Sequence, residues 1–358
     1  MVLELVEISA VRNIETAQLE VSPALNVVTG PNASGKTSFL EAIHLACLAR
    51  SFRTVKTASV IRHGAEAALV FVRMRVDGRE RRVGIRKART GESEIRIDGA
   101  KGTVAEMARL APTQVIAPGS QILVEGSPRY RRGFLDWGAF HVEHTFNETW
   151  QRFVRSLRQR NAALRTGMPA RAVGVWDEAL VEAGEAVTAA RARFLGALGR
   201  RLQPLLRELL GEGLDLELRF RTGWRESETL AEALEKGLER DRDAGFTAVG
   251  PQRAELAMLS HGVAVSERLS RGQQKLLVIA LRLAQIDVVQ EATGRQCVVL
   301  VDDLPAELDR EHRTRVMGLL GHRGVQAFVT GTDAALVEGG EWRDRRSFHV
   351  EHGTLSPA

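Results

Sequence analysis

Apolar and polar residues alternate with a period of two through much of the first hundred residues, which predicts β-strands. Residues 2–8 and 17–21 predict two strands, and the continuous apolar run 25–29 predicts a short buried strand. Residues 69–99 alternate again, with arginines between the apolar positions and an Asp-Gly hairpin turn at 77–78. We therefore expect an antiparallel meander with one arginine-rich face toward solvent.

The middle of the chain changes to the helical period. Residues 141–211 place apolar side chains three and four positions apart, which predicts almost continuous helix. The other predicted elements are strands at 113–116 and 214–220, helices at 228–242 and 276–289, and strands at 297–301 and 325–329. This order predicts an α/β protein with a mostly helical insertion.

The segment between the buried strand 25–29 and the next apolar helix fits G-x-x-x-x-G-K-[ST], the phosphate loop of nucleoside triphosphatases. Its residues are Gly30, Pro31, Asn32, Ala33, Ser34, Gly35, Lys36 and Thr37. Glycines let backbone N–H groups turn toward phosphates, and the helix N-terminus adds free amides and a positive dipole end. Lys36 would reach the β- and γ-phosphates as a catalytic residue, and Thr37 would ligate Mg²⁺. The pattern predicts a nucleotide-binding protein.

A second anion site is predicted where the segment L-S-R-G-Q at 269–273 meets a long apolar helix. Ser270 stands where a helix cap belongs, so its side chain and the first free amides face outward. The candidate nucleotide-binding residues of this segment are Ser270, Gly272 and Gln273.

A third motif lies at the end of the buried strand 297–301, which runs into Asp302 and Asp303. This is the Walker B arrangement. Asp302 would hold Mg²⁺, directly or through water, and Asp303 would orient or deprotonate the attacking water as the second catalytic residue.

The basic net charge of the chain favours a polyanionic partner. The 358 residues carry 50 lysines and arginines against 45 acids, a net charge of +5, and nearly all the positive charge is arginine. Arginine suits phosphate contacts, but GC-rich genomes also favour its codons, and both explanations stay open. The clustered arginines are Arg129, Arg131, Arg132, Arg152, Arg155, Arg158, Arg160 and Arg165. Each cluster is either a DNA contact or a solvated surface, and Arg53 is either a surface residue or a nucleotide contact.

Several classes of protein are disfavoured. The 2 cysteines have no metal-type spacing, which argues against zinc and for a reducing compartment. No signal peptide is visible, and no run of about eighteen apolar residues predicts a membrane span. We expect a cytoplasmic protein with no membrane partner.

The segment L-S-R-G-Q resembles the signature motif of the ATP-binding-cassette superfamily, which faces the γ-phosphate bound by the opposite subunit. Over nearly the whole chain the sequence resembles the RecF family of bacterial DNA replication and repair proteins, in the cassette/SMC group. The resemblance is carried by 30–37, 41–44 (E-A-I-H), 49–53 (A-R-S-F-R), 126–128 (G-S-P), 131–137 (R-R-G-F-L-D-W), 159–164 (Q-R-N-A-A-L), 269–273 and 302–303.

The resemblance implies an α/β cassette-type P-loop ATPase head, with a mixed sheet and an antiparallel meander, formed by residues 1–115 and 250–358. A mostly helical lobe, 116–249, would separate the two parts without a long coiled coil. It also implies ATP and Mg²⁺ as cofactors, an ATP-driven homodimer, and a weak DNA-stimulated ATPase used as a switch. The implied partners are DNA at gaps or single-/double-strand junctions, RecO and RecR, with RecA recombinase loaded at single-strand gaps.

Three positions depart from related patterns. Ala306 stands where relatives often carry serine, Gln252 where they often carry histidine, and Thr330 where many transporters have a switch histidine. The first two remove no phosphate or Mg²⁺ ligand, so they leave the ATP prediction intact.

Alternatives from other classes remain. A nucleotide-binding subunit of a membrane transporter shares all three motifs, but the arginine-rich insertion, the basic charge and the missing histidine argue against it. A chromosome-organising coiled-coil protein needs long sustained heptads between the motifs. A small-molecule P-loop kinase would not carry the signature segment.

Overall fold

The computed structural model describes residues 1–333 and 340–358. They form two compact units, one of Met1–Ser120 with Val289–Ala358 and one of Gln121–Val288. The first unit begins with β1 (Val2–Val11), β2 (Ile14–Glu20), β3 (Leu25–Thr29), α1 (Lys36–Leu48), β4 (Ala67–Val76), β5 (Arg79–Ala88), β6 (Ser93–Ile97), β7 (Ala100–Lys101), α2 (Val104–Leu110) and β8 (Thr113–Ile116).

The second unit and the return to the first follow in order. The elements are α3 (Ile122–Glu125), α4 (Pro128–Val142), α5 (Phe146–Arg165), α6 (Ala170–Gly174), α7 (Asp177–Leu210), β9 (Glu217–Arg221), α8 (Leu230–Ala244), β10 (Glu255–Ser260), β11 (Val263–Ala264), α9 (Val265–Arg268), α10 (Arg271–Thr293), β12 (Val298–Val301), α11 (Leu304–Glu307), α12 (Arg310–His322), β13 (Gln326–Gly331), β14 (Arg345–Glu351) and β15 (Thr354–Pro357).

The predicted meander is present as an antiparallel sheet in the order β2-β1-β4-β5-β6-β7. Val70, Val72 and Met74 of β4 are buried on one face. The hairpin between β4 and β5 turns at Asp77 and Gly78, which have φ of 50° and 78°, as the twist of a two-residue hairpin requires. Arginines of the opposite face form ion pairs on the surface. This agrees with the predicted arginine-rich face toward solvent.

The second sheet of the first unit has the order β15-β14-β3-β13-β12-β8, with β14, β3, β13, β12 and β8 parallel. Its strands β3, β12 and β13 are continuous buried runs, because a parallel sheet is covered on both faces. Parallel strands end at one edge, where the loop 30–37 and the pair 302–303 follow β3 and β12. The pairing of β14 beside β3 was not predicted from the sequence.

The second unit is mostly helical, as the apolar spacing of 141–211 predicts. Phe153 of α5, Val187 of α7 and Leu230 of α8 share its core. A three-stranded antiparallel sheet, β11-β10-β9, accompanies the helices, and the strand predicted at 214–220 lies at Glu217–Arg221. Residues 250–288, which carry the signature segment, fall in this unit. In the described part of the chain, no helix combines the length and the apolar character needed to cross a membrane.

Candidate ATPase site

Two glycines give the loop between β3 and α1 its shape. Gly30 has φ 151°, and a Cβ there would lie 2.2 Å from the carbonyl oxygen of Val350 in β14. Gly35 has φ 127° and precedes the first residue of α1, where a side chain would be strained. The loop therefore curls tightly against β14, and only glycine fits at these two positions.

Lys36 bends back over the loop at the start of α1. Its Nζ donates to the carbonyl oxygens of Gly30, at 2.7 Å, and Pro31, at 2.8 Å. Burial lowers the pKa of Lys36 below its ordinary value, and the charges of Asp303 and Asp302 partly offset that effect. The structure thus brings the predicted phosphate-binding lysine into range of both predicted acidic residues.

Thr37 joins the phosphate loop to the Walker B strand. Its Oγ1 lies 2.9 Å and 3.1 Å from the two carboxylate oxygens of Asp302. Burial raises the pKa of Asp302, while the hydrogen bonds from Thr37 and Thr330 oppose the rise. Two residues separated by 265 positions therefore meet as the sequence predicts.

The donor set at this point fits the predicted cation. A threonine hydroxyl and a carboxylate are hard oxygen ligands, the type that Mg²⁺ prefers. Among residues 1–333 and 340–358, no group of three or more His, Cys, Asp or Glu could hold a metal. Mg²⁺ in nucleotide sites uses one or two protein oxygens together with phosphates and water, so Thr37 and Asp302 are the residues that would hold it.

Asn13, in the turn between β1 and β2, forms hydrogen bonds with the phosphate loop and the start of α1. Its Nδ2 donates to the carbonyl oxygen of Ser34 at 2.9 Å, and its Oδ1 accepts from the Ser38 hydroxyl at 2.8 Å. The backbone N–H of Gly353 also donates to the Ser34 carbonyl, at 2.8 Å. This contact was not predicted, because no local sequence pattern distinguishes Asn13 from an ordinary turn residue.

An ion pair between the half-buried Arg12 and the buried Glu41 lies beside the segment after α1. Arg12 donates from Nε and Nη2 to the two oxygens of Glu41, at 2.8 and 2.9 Å. Ser51 also donates to Glu41, and the Ser51 hydroxyl accepts the backbone N–H of Arg53 at 2.9 Å. Arg53 is exposed and close enough to Asp302 for its charge to lower the pKa of that carboxyl, against the larger effect of burial.

Comparisons with known proteins show the family of this chain. The chain matches the RecF/RecN/SMC N terminal domain over residues 2–354. It is 44% identical to the DNA replication and repair protein RecF of Pseudomonas aeruginosa (strain LESB58), over 99% of this chain and 98% of that one. The RecF of Thioalkalivibrio sulfidiphilus is also 44% identical, over 99% of both chains. The chain belongs to the RecF family.

The fold of this chain is similar to solved structures of RecF and of an Smc head. A structure of the recombination mediator protein RecF-ATPrS in the RecFOR pathway has a TM-score of 0.87 and 25% identity, over 99% of this chain and 97% of that one. An Smc head bound to the C-winged helix domain of ScpA has a TM-score of 0.61 at 15% identity, over 100% of this chain and 97% of that one, a likeness of fold alone. The predicted α/β cassette-type fold is confirmed, and the described residues contain no long coiled coil. None of these relatives is a transporter subunit.

The RecF-family signature segment caps its own helix. The backbone N–H of Ser270 donates to Gln273 Oε1 at 3.0 Å, and the N–H of Gln273 donates to Ser270 Oγ at 3.3 Å. This reciprocal pair is a capping box at the start of α10. Gly272 is exposed, and a Cβ placed there would meet no described atom within 4 Å beyond its chain neighbours and the backbone of its own helix. The segment leaves room for an outside group to approach its backbone.

The arginine clusters of this RecF-family chain divide into buried and exposed members. Arg131 forms two hydrogen bonds with Glu255, at 2.7 and 3.0 Å, and Arg132 donates to the Ala254 carbonyl at 2.8 Å. Arg160 is fully buried. The exposed members are Arg129, Arg152, Arg155, Arg158 and Arg165. Arg131, Arg132 and Arg160 hold the fold, which removes them from the candidate DNA contacts.

Proposed function

We propose that this protein is an ATP-dependent DNA-binding protein of recombinational repair and replication restart, acting in the cytoplasm. It dimerises on ATP and helps load RecA recombinase at single-strand gaps. Its weak, DNA-stimulated ATPase acts as a switch. The observation that carries the proposal is the contact between Thr37 and Asp302, at 2.9 Å, which joins the phosphate loop to the Walker B strand.

The chemistry follows from the residues at that contact. The loop amides and Lys36 bind the phosphates. Thr37 and Asp302 would hold Mg²⁺, which would supply positive charge beside the phosphate oxygens. Asp303, half-buried beside Asp302, orients the attacking water and accepts its proton. Positioning and electrostatics are most of what phosphoryl transfer requires of a protein.

ATP-driven dimerisation is supported by the signature segment. Ser270 and Gly272 are exposed at the start of α10, and the first turn of a helix favours an anion. In the proposed dimer a second copy presents its γ-phosphate to this turn, so each nucleotide lies between the Lys36 of one chain and the Ser270 of the other. Because ATP then binds only the associated form at full strength, ATP stabilises the dimer by mass action.

DNA binding is supported by the net charge of +5 and by the exposed arginines of α5. Arg155 and Arg158 are both exposed on this helix, and phosphate contacts by such residues release counterions. RecO and RecR are proposed as partners because the solved RecF structure described above is of a protein in the RecFOR pathway.

One experiment tests the core of this function: ATP hydrolysis by the full chain, with and without gapped duplex DNA. We expect slow hydrolysis that rises with DNA. The matched control is Asp303→Asn, which keeps the size of the side chain and loses the base. Hydrolysis that DNA leaves unchanged would contradict the switch, and equal rates in the Asn variant would contradict the role of Asp303.

A further inference from the structure

Thr330 lies one residue before the end of β13 and has no exposed surface. Its hydroxyl contacts both residues of the acidic pair. Oγ1 accepts the backbone N–H of Asp303 at 2.8 Å, and it donates to Asp302 Oδ1 at 2.9 Å. An amide N–H can only donate, and a hydroxyl has one proton, so that proton must point to the carboxylate.

The amide that Thr330 binds belongs to an unusual stretch of backbone. Asp303 has φ 51° and ψ 46°, the left-handed region that L-residues other than glycine rarely adopt. The preceding N–H, of Asp302, donates to the Ile116 carbonyl of β8 at 2.8 Å. The chain changes direction at Asp303, and the bond from its N–H to Thr330 is one of the contacts that hold the backbone there.

We propose that Thr330 is a positioning residue for the ATPase reaction, an inference that rests on the proposed function. Of the two hydroxyls bonded to Asp302, that of Thr37 is the one predicted to ligate Mg²⁺. Thr330 is then the hydroxyl that keeps Asp302 in place. Through the amide it also keeps Asp303 in the left-handed conformation that its role toward water requires.

Thr330, Asp302 and Asp303 lie in the same unit. One hydroxyl bonded to both acidic residues would keep them aligned with each other.

A second buried strand threonine has its contacts away from the acidic pair. Thr113, at the start of β8, is also nearly inaccessible to solvent, at 2% exposed. Its hydroxyl donates to the carbonyl of Ala111 at 2.8 Å, and its side chain also hydrogen-bonds with the Cys47 thiol. The hydroxyl of Thr330 instead contacts Asp302 and Asp303. Thr113→Val is therefore a matched control for Thr330→Val, since both substitutions keep the side-chain shape and remove one buried hydroxyl.

The first arm of the test needs no nucleotide. Amide hydrogen exchange at Asp303 is measured in the wild type, Thr330→Ser, Thr330→Val and Thr113→Val. Exchange should accelerate in Thr330→Val only, because serine keeps the hydroxyl and the control leaves the bond intact. Unchanged protection in Thr330→Val would overturn the inference at its structural step.

The second arm measures ATP affinity and single-turnover hydrolysis in the same four proteins. Thr330→Val should lose at least about tenfold in hydrolysis rate. ATP affinity should change by no more than about threefold, because the loop, Lys36 and the Thr37 contact to Asp302 are intact. Thr330→Ser should retain most of the rate. Wild-type hydrolysis by Thr330→Val, or an equal loss in Thr113→Val, would overturn the positioning role. A wild type that fails to hydrolyse ATP would instead overturn the proposed function, and this inference with it.

Discussion

Arg160 and Asp241 form an ion pair whose two side chains are both inaccessible to solvent. Arg160 Nη1 donates to Asp241 Oδ2 at 2.7 Å, and its Nε donates to Asp177 Oδ1 at 2.7 Å. The same Nη1 donates to the Thr247 hydroxyl at 2.8 Å. One side chain of α5 thereby links α7, α8 and the segment after α8. An arginine that the sequence grouped with candidate DNA contacts is a structural anchor.

Removing this anchor should destabilise the fold. Arg160→Ala leaves the buried carboxylate of Asp241 without its cation, which we expect to lower the free energy of unfolding by about 3–5 kcal/mol. The matched control is Arg158→Ala on the exposed side of α5, expected to change it by less than about 0.5 kcal/mol. Urea unfolding measures both. Equal stability of the two variants would contradict the structural role.

Nucleotide binding should depend on Lys36, since its ammonium is the mobile positive charge that the loop offers to the β- and γ-phosphates. Lys36→Ala should abolish ATP binding and every ATP-dependent property. Lys36→Arg should bind ATP and fail to hydrolyse it, because a planar guanidinium cannot replace a point charge. The exposed Lys56→Ala is the control. Full ATPase activity in Lys36→Ala would refute the site assignment.

Substitutions of Asp302 and Asp303 should have different effects on ATP binding and hydrolysis. Asp302→Ala removes the carboxylate bonded to Thr37, so it should weaken binding of Mg·ATP. Asp303→Asn should leave binding nearly intact and accumulate ATP-bound protein, because only the base for the attacking water is lost. Equilibrium binding and single-turnover hydrolysis separate the two effects. The same loss of ATP affinity in both variants would overturn this division of roles.

DNA affinity should fall steeply with salt. If phosphates supply the affinity, log K falls linearly with log salt, by about 0.9 per phosphate neutralised on duplex. Charge reversal of the exposed Arg155 and Arg158 should reduce that slope, and reversal of the exposed Arg86 on the meander serves as the control. Fluorescence anisotropy over a salt series gives both slopes. An unchanged slope would clear the α5 face of DNA contact, and salt-insensitive binding would refute the electrostatic mechanism.

ATP should drive a head-to-tail dimer with two composite sites. Lys36→Ala damages the phosphate loop and Ser270→Arg damages the signature segment, so each variant alone should be inactive. Their heterodimer contains one doubly damaged site and one intact site, so mixing should restore part of the activity. Sedimentation with ATP reports the association directly. A monomer at saturating ATP would contradict the dimer, and a mixture that associates without activity would show that one intact site is insufficient.

The sequence by itself determined the phosphate loop, the Walker B pair and the main elements around them. Those features depend on local physics: glycines for positive φ, a continuous apolar run for a strand covered on both faces, and helical spacing for residues 141–211. The meander needed only its period of two and the Asp-Gly turn, and the structure places that turn at Asp77 and Gly78.

Tertiary structure alone decided which polar residues act together. Three contacts join residues that are distant in sequence: Asn13 with Ser34, Thr330 with the acidic pair, and Arg160 with Asp241. A single threonine in a buried strand, or one arginine among five on a helix, has the same local pattern whether it lies at a site or not. Its role depends on what packs against it, because a buried polar group is stable only where partners satisfy it.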